Sequence, residues 1–145
     1  MGVVDFMSKR GGKGVALIIG AGDATGGAIA KKFSMKGFKV VITRRKLERL
    51  NRITEEIRSA GGIVHPFGVD ARREEEMVSF VKRVEDEIGE IEVAVYNVGG
   101  NVRFGISETT SRVFFKVWEM CCFGGFLMGR EVSNYMRVRE RGTII

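Results

Sequence analysis

Proline, histidine and cysteine are scarce in this chain: one, one and two among 145 residues. A single proline beside 44% hydrophobic residues argues against disorder and for one globular domain around one core. The two cysteines, Cys121 and Cys122, are adjacent inside an apolar helical pattern. Neighbouring cysteines make a poor staple and no metal-ligand spacing surrounds them, so they are expected to be buried, reduced thiols, with no metal site. The lone histidine, His65, lies within a strand pattern without a Ser or Cys partner, and it reads as structural. No apolar run approaches membrane length. The first ten residues contain Asp5 and no long apolar block, and Phe6 stands where a myristoylation motif needs Ser or Thr, so neither a secretory signal nor that lipid anchor is expected. These absences predict a cytoplasmic protein with no membrane partner. A weak mitochondrial transit peptide containing Lys9, Arg10 and Lys13 stays open.

Acidic residues are also in deficit, 18 against 24 Lys and Arg, for a net charge of +6. Such a balance suits a nucleic-acid binder or an enzyme that takes a polyanionic nucleotide. The bases are spread over helix faces and are not interleaved with aromatics on strands, so no nucleic-acid partner is expected.

Glycine is plentiful, and its placement near the amino terminus is the most informative pattern present. Val15 to Ile19 is a short apolar strand, Gly20, Gly22 and Gly26 follow, and a helical pattern opens near Thr25. Strand, glycine turn and helix in that order build a diphosphate site. Glycines turn tightly with no side chain in the way, and free amides and the positive dipole end at the helix start face the anion. Asp23, Ala24 and Thr25 belong to the same turn, although Thr25 stands where the strict dinucleotide spacing expects a third glycine. The next strand ends in Thr43-Arg44-Arg45. Many dinucleotide folds place there a carboxylate that accepts from the ribose of NAD. Guanidinium groups with no competing acid point to the 2′-phosphate instead, and so to NADP in preference to NAD.

After a tail over residues 1–13, expected to be flexible, the chain alternates. Strands are expected at 15–19, 38–43, 63–69, 91–97 and 143–145, and helices near 25–36, 46–60, 73–88 and 110–137. Leu47, Leu50, Ile53 and Ile57 form one helix stripe, and Met77, Val81, Val84 and Ile88 another. Pro66 predicts an irregular end to the third strand. Repeated strand–helix units with continuously apolar strands mean an α/β protein with a parallel sheet covered on both faces. Asp70, after the third strand, suits either an acceptor for the adenine amino group or an N-cap. Asn97, at the end of the fourth, suits either a bond to neighbouring backbone or a contact with the cofactor. Tyr135 and Arg139 read as surface residues at the end of the long helix. Glu74, Glu75 and Glu76 open a helix, where the dipole favours acids.

Taken together these landmarks resemble the short-chain dehydrogenase/reductase family over about residues 14–145. Ile19-Gly20-Ala-Gly22-Asp-Ala24-Thr-Gly26 is similar to the family's Thr-Gly-x-x-x-Gly-x-Gly turn, with Ile19 for Thr and Ala24 for the middle Gly. Val69-Asp70 matches the adenine-contacting Asp, and Tyr96-Asn97-Val98-Gly99 is similar to Asn-Asn-Ala-Gly. The resemblance implies a Rossmann-like doubly wound sheet of order 3-2-1-4-5, truncated after about five strands, and NADP-dependent carbonyl or alcohol chemistry. It assigns Gly20, Gly22, Asp23, Ala24, Thr25, Gly26, Arg44, Arg45, Asp70, Asn97 and Gly99 to the cofactor. Cys121 replaces the Asn of the family's Asn-x-x-Gly-x-Phe helix motif. The catalytic Ser and Tyr-x-x-x-Lys would follow Ile145, so no catalytic residue is assigned and this chain alone is expected to be a poor catalyst. The alternative is an inactive interaction or dimerising remnant. The resemblance implies pairing through the long helix and the helix that follows it, and here the face bearing some of Phe114, Phe115, Trp118 and Phe123 would be left exposed.

Overall fold

A computed structural model describes residues 13–100 and 102–145. Five strands, β1 (Lys13–Ile19), β2 (Phe38–Arg44), β3 (Val64–Gly68), β4 (Ile91–Tyr96) and β5 (Thr143–Ile144), form one sheet of order β3-β2-β1-β4-β5. Every neighbouring pair is parallel. There are five helices, α1 (Thr25–Met35), α2 (Asn51–Ser59), α3 (Glu74–Arg83), α4 (Ser111–Trp118) and α5 (Gly124–Arg139); all but α4, which buries no residue, pack on the sheet. The sequence-based class and strand order are those observed.

The side-chain alternation of a strand explains the two layers. Val15, Leu17 and Ile19 of the central strand pack with Met77 and Val81 of α3 and with Leu127, Met128 and Val132 of α5. The intervening Ala16 and Ile18 pack with Ala30 of α1, Leu50, and Ile53 and Ile57 of α2. Val15 to Ile19 are buried throughout, as a strand covered on both faces requires.

Several details depart from the sequence reading. Residues 1–12 of the expected tail lie outside the described residues, but Lys13 opens β1, where it pairs with Phe38. The ladder runs unbroken from Val40–Val64 to Arg44–Gly68 across Pro66. A proline is tolerated there because β3 is an edge strand. The expected 46–60 helix begins as a 3₁₀ turn, Leu47–Leu50, and Leu47 is left 47% exposed outside its stripe. The helix near 73–88 ends in a π turn, Val84–Ile88, and another, Glu119–Phe123, joins α4 to α5. Cys121 is only half-buried and Cys122 is exposed, in a turn that buries none of its residues. Arg139 is not a surface residue. Its guanidinium donates to both carboxylate oxygens of Glu85 at 2.7 and 3.0 Å and to the Ile91 carbonyl at 3.0 Å. The pair is 15% and 5% exposed and ties α5 to the π turn and to β4. Neighbouring Tyr135 packs against the core.

Candidate functional site

The carboxyl ends of β1, β2 and β4 converge where the strand order reverses, the position at which open α/β sheets hold ligands. The Gly20 turn takes a left-handed φ of 85°, which glycine adopts without strain. The Gly20 and Ala21 amides both donate to the Thr43 carbonyl, at 3.1 and 3.0 Å, and the Asn97 amide donates to the Ile19 carbonyl at 2.8 Å. Asn97 Nδ2 donates to the Gly20 carbonyl at 3.0 Å. Asn97 thus makes the backbone bond, one of its two expected roles, while still standing on the cleft wall.

Gly26 is the third essential glycine, one position beyond the strict spacing. A Cβ there would lie 2.4 Å from the Gly20 carbonyl oxygen and 2.8 Å from Ala21 Cα. Helix α1 therefore starts almost in contact with the turn it covers. It has no side-chain cap and no acid in its first turn. The first backbone bonds run from Gly27 N to Gly22 O and from Ala28 N to Ala24 O. Among the described residues, the amides of Asp23, Ala24, Thr25 and Gly26 have no protein acceptor. Helix starts left in this condition need an outside partner.

These elements frame a cleft of about 640 Å³, within the range of small-molecule sites. Its walls carry the turn residues Gly20, Gly22, Asp23, Ala24, Thr25 and Gly26, together with Arg44, Arg45, Asp70, Asn97 and Gly99. All the cofactor candidates named from the sequence are thus brought together. Arg44 runs beside the turn: a Cβ on Gly22 would lie 3.9 Å from its Nη2. Its Nη1 is buried with no hydrogen-bond partner.

Asp70 is not an N-cap, since Arg73 holds that position before α3. Its carboxylate accepts from Arg72 Nε at 2.8 Å, Nη2 at 2.6 Å and the Arg72 amide at 3.2 Å. The Arg72 bonds hold its pKa below the usual carboxylate value, against the opposing effect of burial. Arg72 also reaches Glu119 of the π turn at 3.6 Å.

Arg72, Tyr96 and Met120 line the cleft as well, and none was singled out from the sequence. The Asp-x-Arg spacing was the only available signal for Arg72. The Tyr96 hydroxyl donates to the Met120 carbonyl at 2.6 Å, within the π turn. Burial pushes this phenol up to about 12. Gly124 permits the approach, because a Cβ there would collide with the Tyr96 hydroxyl. No cluster able to hold a metal ion occurs among the described residues, and no helix among them is long and apolar enough to cross a membrane.

Comparison with known proteins agrees with this geometry. The short chain dehydrogenase family model matches residues 14–145. A short chain dehydrogenase of Pseudocercospora fijiensis is 30% identical over 143 residues, covering 97% of this chain and 46% of that protein. The chain spans about half the length of the curated relatives it matches. A short-chain dehydrogenase structure from Rhodopseudomonas palustris is 44% identical with a TM-score of 0.82, covering 90% of this chain and 61% of that one. A metagenomic short-chain oxidoreductase, solved in complex with NADP, is 27% identical with a TM-score of 0.85, covering 90% and 59%. The cleft at the sheet switch point, the glycine turn beneath a bare helix start and a family match over nearly the whole chain lead to one assignment: this chain belongs to the short-chain dehydrogenase family and carries its NAD(P)-binding fold.

Proposed function

We propose that residues 14–145 form the NADP-binding unit of a short-chain oxidoreductase, with NADP preferred over NAD. The observation that carries the preference is Arg44: one guanidinium nitrogen, Nη1, is buried without a partner, and the other, Nη2, lies beside the glycine turn. Burying such a donor is costly unless an acceptor arrives, and a phosphate on the adenosine ribose is an acceptor of matching charge. The amides of residues 23–26 suit the pyrophosphate, for they too lack protein acceptors. Gly20, Gly22 and Gly26 keep that cradle open, and Arg45 adds a second cation to its rim. Asp70, already held by Arg72, keeps a carboxylate for the adenine amino group, and Asn97 with Gly99 borders the nicotinamide end.

When bound, the cofactor would supply hydride to a carbonyl in its reduced form or accept hydride from an alcohol in its oxidised form. This chain's residues bind and orient it. Positioned proton transfer contributes about 10²–10⁴-fold to such a reaction, and no residue on the cleft is assigned that task, so turnover by this chain alone is proposed to be weak. Nucleotide titration tests the reading. Millimolar NADP should raise the melting temperature, and NAD should do so less. An unchanged melting temperature with both overturns it.

One observation favours a second reading, self-association through the long helix. Phe114, Phe115, Trp118 and Phe126 are 58%, 63%, 46% and 57% exposed. Phe123, also among the candidates for that face, is partly buried against the core. Exposed apolar patches of this kind mark interfaces. Sedimentation velocity distinguishes a concentration-dependent dimer from a monomer, and the monomer would remove this reading.

A further inference from the structure

Backbone bonds pin the loop after β3. The Val69 amide donates to the Arg44 carbonyl, the Asp70 amide to Glu76 Oε2 and the Arg73 amide to the Asp70 carbonyl, each at 2.9 Å. The Asp70 side chain is held separately. Arg72 grips it edge-on, with Nε on Oδ1 at 2.8 Å and Nη2 on Oδ2 at 2.6 Å, and the Arg72 amide adds a bond to Oδ1 at 3.2 Å. The remaining guanidinium nitrogen, Nη1, faces Glu119 Oε2 of the π turn at 3.6 Å. Glu119, Arg72 and Asp70 thus form one chain of contacts from the π turn to the cleft, where Arg72 and Asp70 both stand on the wall.

Counting lone pairs shows what this leaves for a ligand. A carboxylate has about four acceptor sites, two on each oxygen. Oδ1 is filled by the Arg72 amide and Nε. Oδ2 takes only Nη2, so one site on Oδ2 remains. The two-point grip also fixes the plane of the carboxylate, and a lysine, with one point charge, could not do this. A single free lone pair at a set angle suits one N–H donor and repels a carbonyl oxygen. Without the grip, Asp70 has another cation to turn to: Arg45 lines the same cleft and lies within electrostatic reach of it.

We propose that Arg72 is a positioning residue: braced by Glu119, it holds Asp70 so that Oδ2 alone accepts from the ligand, and the pocket selects a base bearing an exocyclic amino group over one bearing a carbonyl there. This rests on the cofactor reading above and adds to it the residue through which the base is selected.

The test is calorimetric titration of the whole chain with NADP and with its hypoxanthine analogue, in which a carbonyl oxygen replaces the amino group. The wild type should prefer NADP by about 10- to 100-fold, the ratio that a hydrogen bond to a charged group gives. Asp70→Ala should abolish the preference. Arg72→Met should lower it by about 3- to 10-fold, and Glu119→Gln by about 2-fold. Arg72→Lys keeps the charge without the two-point grip and should lose most of what Arg72→Met loses, so it decides the matter if Arg72→Met fails to fold. In the Asp70→Ala background, Arg72→Met should lower the preference no further, because Arg72 acts through Asp70. A merely structural role would weaken both ligands together and leave their ratio alone. Arg73→Gln, whose arginine is 72% exposed and pairs with Glu76, should also leave the ratio unaltered. If the wild-type chain binds neither dinucleotide, the cofactor reading fails and this inference with it. If it binds NADP without preferring it to the analogue, or if the Arg72 variants leave the preference intact or lower it equally with and without Asp70, only this inference is overturned.

Discussion

Alanine at Gly26 tests whether the start of α1 is seated on the turn as closely as described. The new methyl group would lie 2.4 Å from the Gly20 carbonyl oxygen, 2.8 Å from Ala21 Cα and 2.8 Å from Asn97 Nδ2. Two of those neighbours are backbone, so neither can swing away. Relief requires α1 to lift off the turn and the Asn97 side-chain amide to move aside, which gives up its 3.0 Å bond to the Gly20 carbonyl. Overpacking of this kind costs about 1–3 kcal/mol, and a lost hydrogen bond about 0.5–1.5 kcal/mol. Together they come to about 1.5–4.5 kcal/mol, or a melting temperature lowered by about 3–18 °C for a chain of this size. Gly129→Ala is the internal reference. Gly129 lies within α5, and a Cβ there meets nothing within 4 Å. That change should stabilise by up to about 1 kcal/mol, because alanine is the better helix former. Differential scanning calorimetry of both variants reads the contrast directly. A Gly26→Ala protein that melts with the wild type would refute the close approach, and with it the geometry of the proposed phosphate cradle.

Three further outcomes follow from the polar contacts. Tyr96 carries a phenol raised to about 12 by burial, so its neutral form stabilises the fold fully below about pH 10, and that contribution fades as pH rises toward about 12. Tyr96→Phe should abolish this alkaline dependence and lose about 0.5–1.5 kcal/mol at neutral pH, read by denaturant melts across alkaline pH. Asp70 has a depressed pKa, so its stabilisation is present above about pH 4 and is lost as pH falls through its lower folded value. The stability gap between wild type and Asp70→Asn should therefore be open at pH 7 and close in acid. Arg139→Met strands the carboxylate of Glu85, which is 5% exposed, and should cost about 3–5 kcal/mol. The double variant Glu85→Met/Arg139→Met should recover part of that loss, since the Ile91 amide then lacks its Glu85 acceptor, and denaturant titration of the three proteins checks both statements.

Periodicity and punctuation were enough to read the strand–helix alternation, because each strand of the sheet is either buried on both faces or bounded by glycine. The cleft was readable for the same reason: the turn glycines, Arg44, Asp70 and Asn97 all lie at strand ends, where topology gathers them. What escaped was set by tertiary contact. The π turn at Glu119–Phe123 has no local signature; it coincides with the hydrogen bond from Tyr96 to Met120 and with the contact that Gly124 allows. Exposure of Cys122 follows from that turn and not from the apolar pattern around it. Arg139 looked like a solvated helix end because its partner, Glu85, lies 54 residues away. Leu47 fell out of its stripe when the helix began as a 3₁₀ turn.

A crystal structure of the chain soaked with NADP, compared with one of its Arg44→Gln variant, is the most direct measurement of what this cleft holds. In the wild type, the pyrophosphate should lie against the amides of residues 23–26 and the 2′-phosphate within hydrogen-bonding distance of Arg44, while the variant should bind NADP about 10- to 100-fold more weakly. Cofactor density elsewhere, or a 2′-phosphate facing solvent with Arg44 still unpartnered, would contradict the proposal.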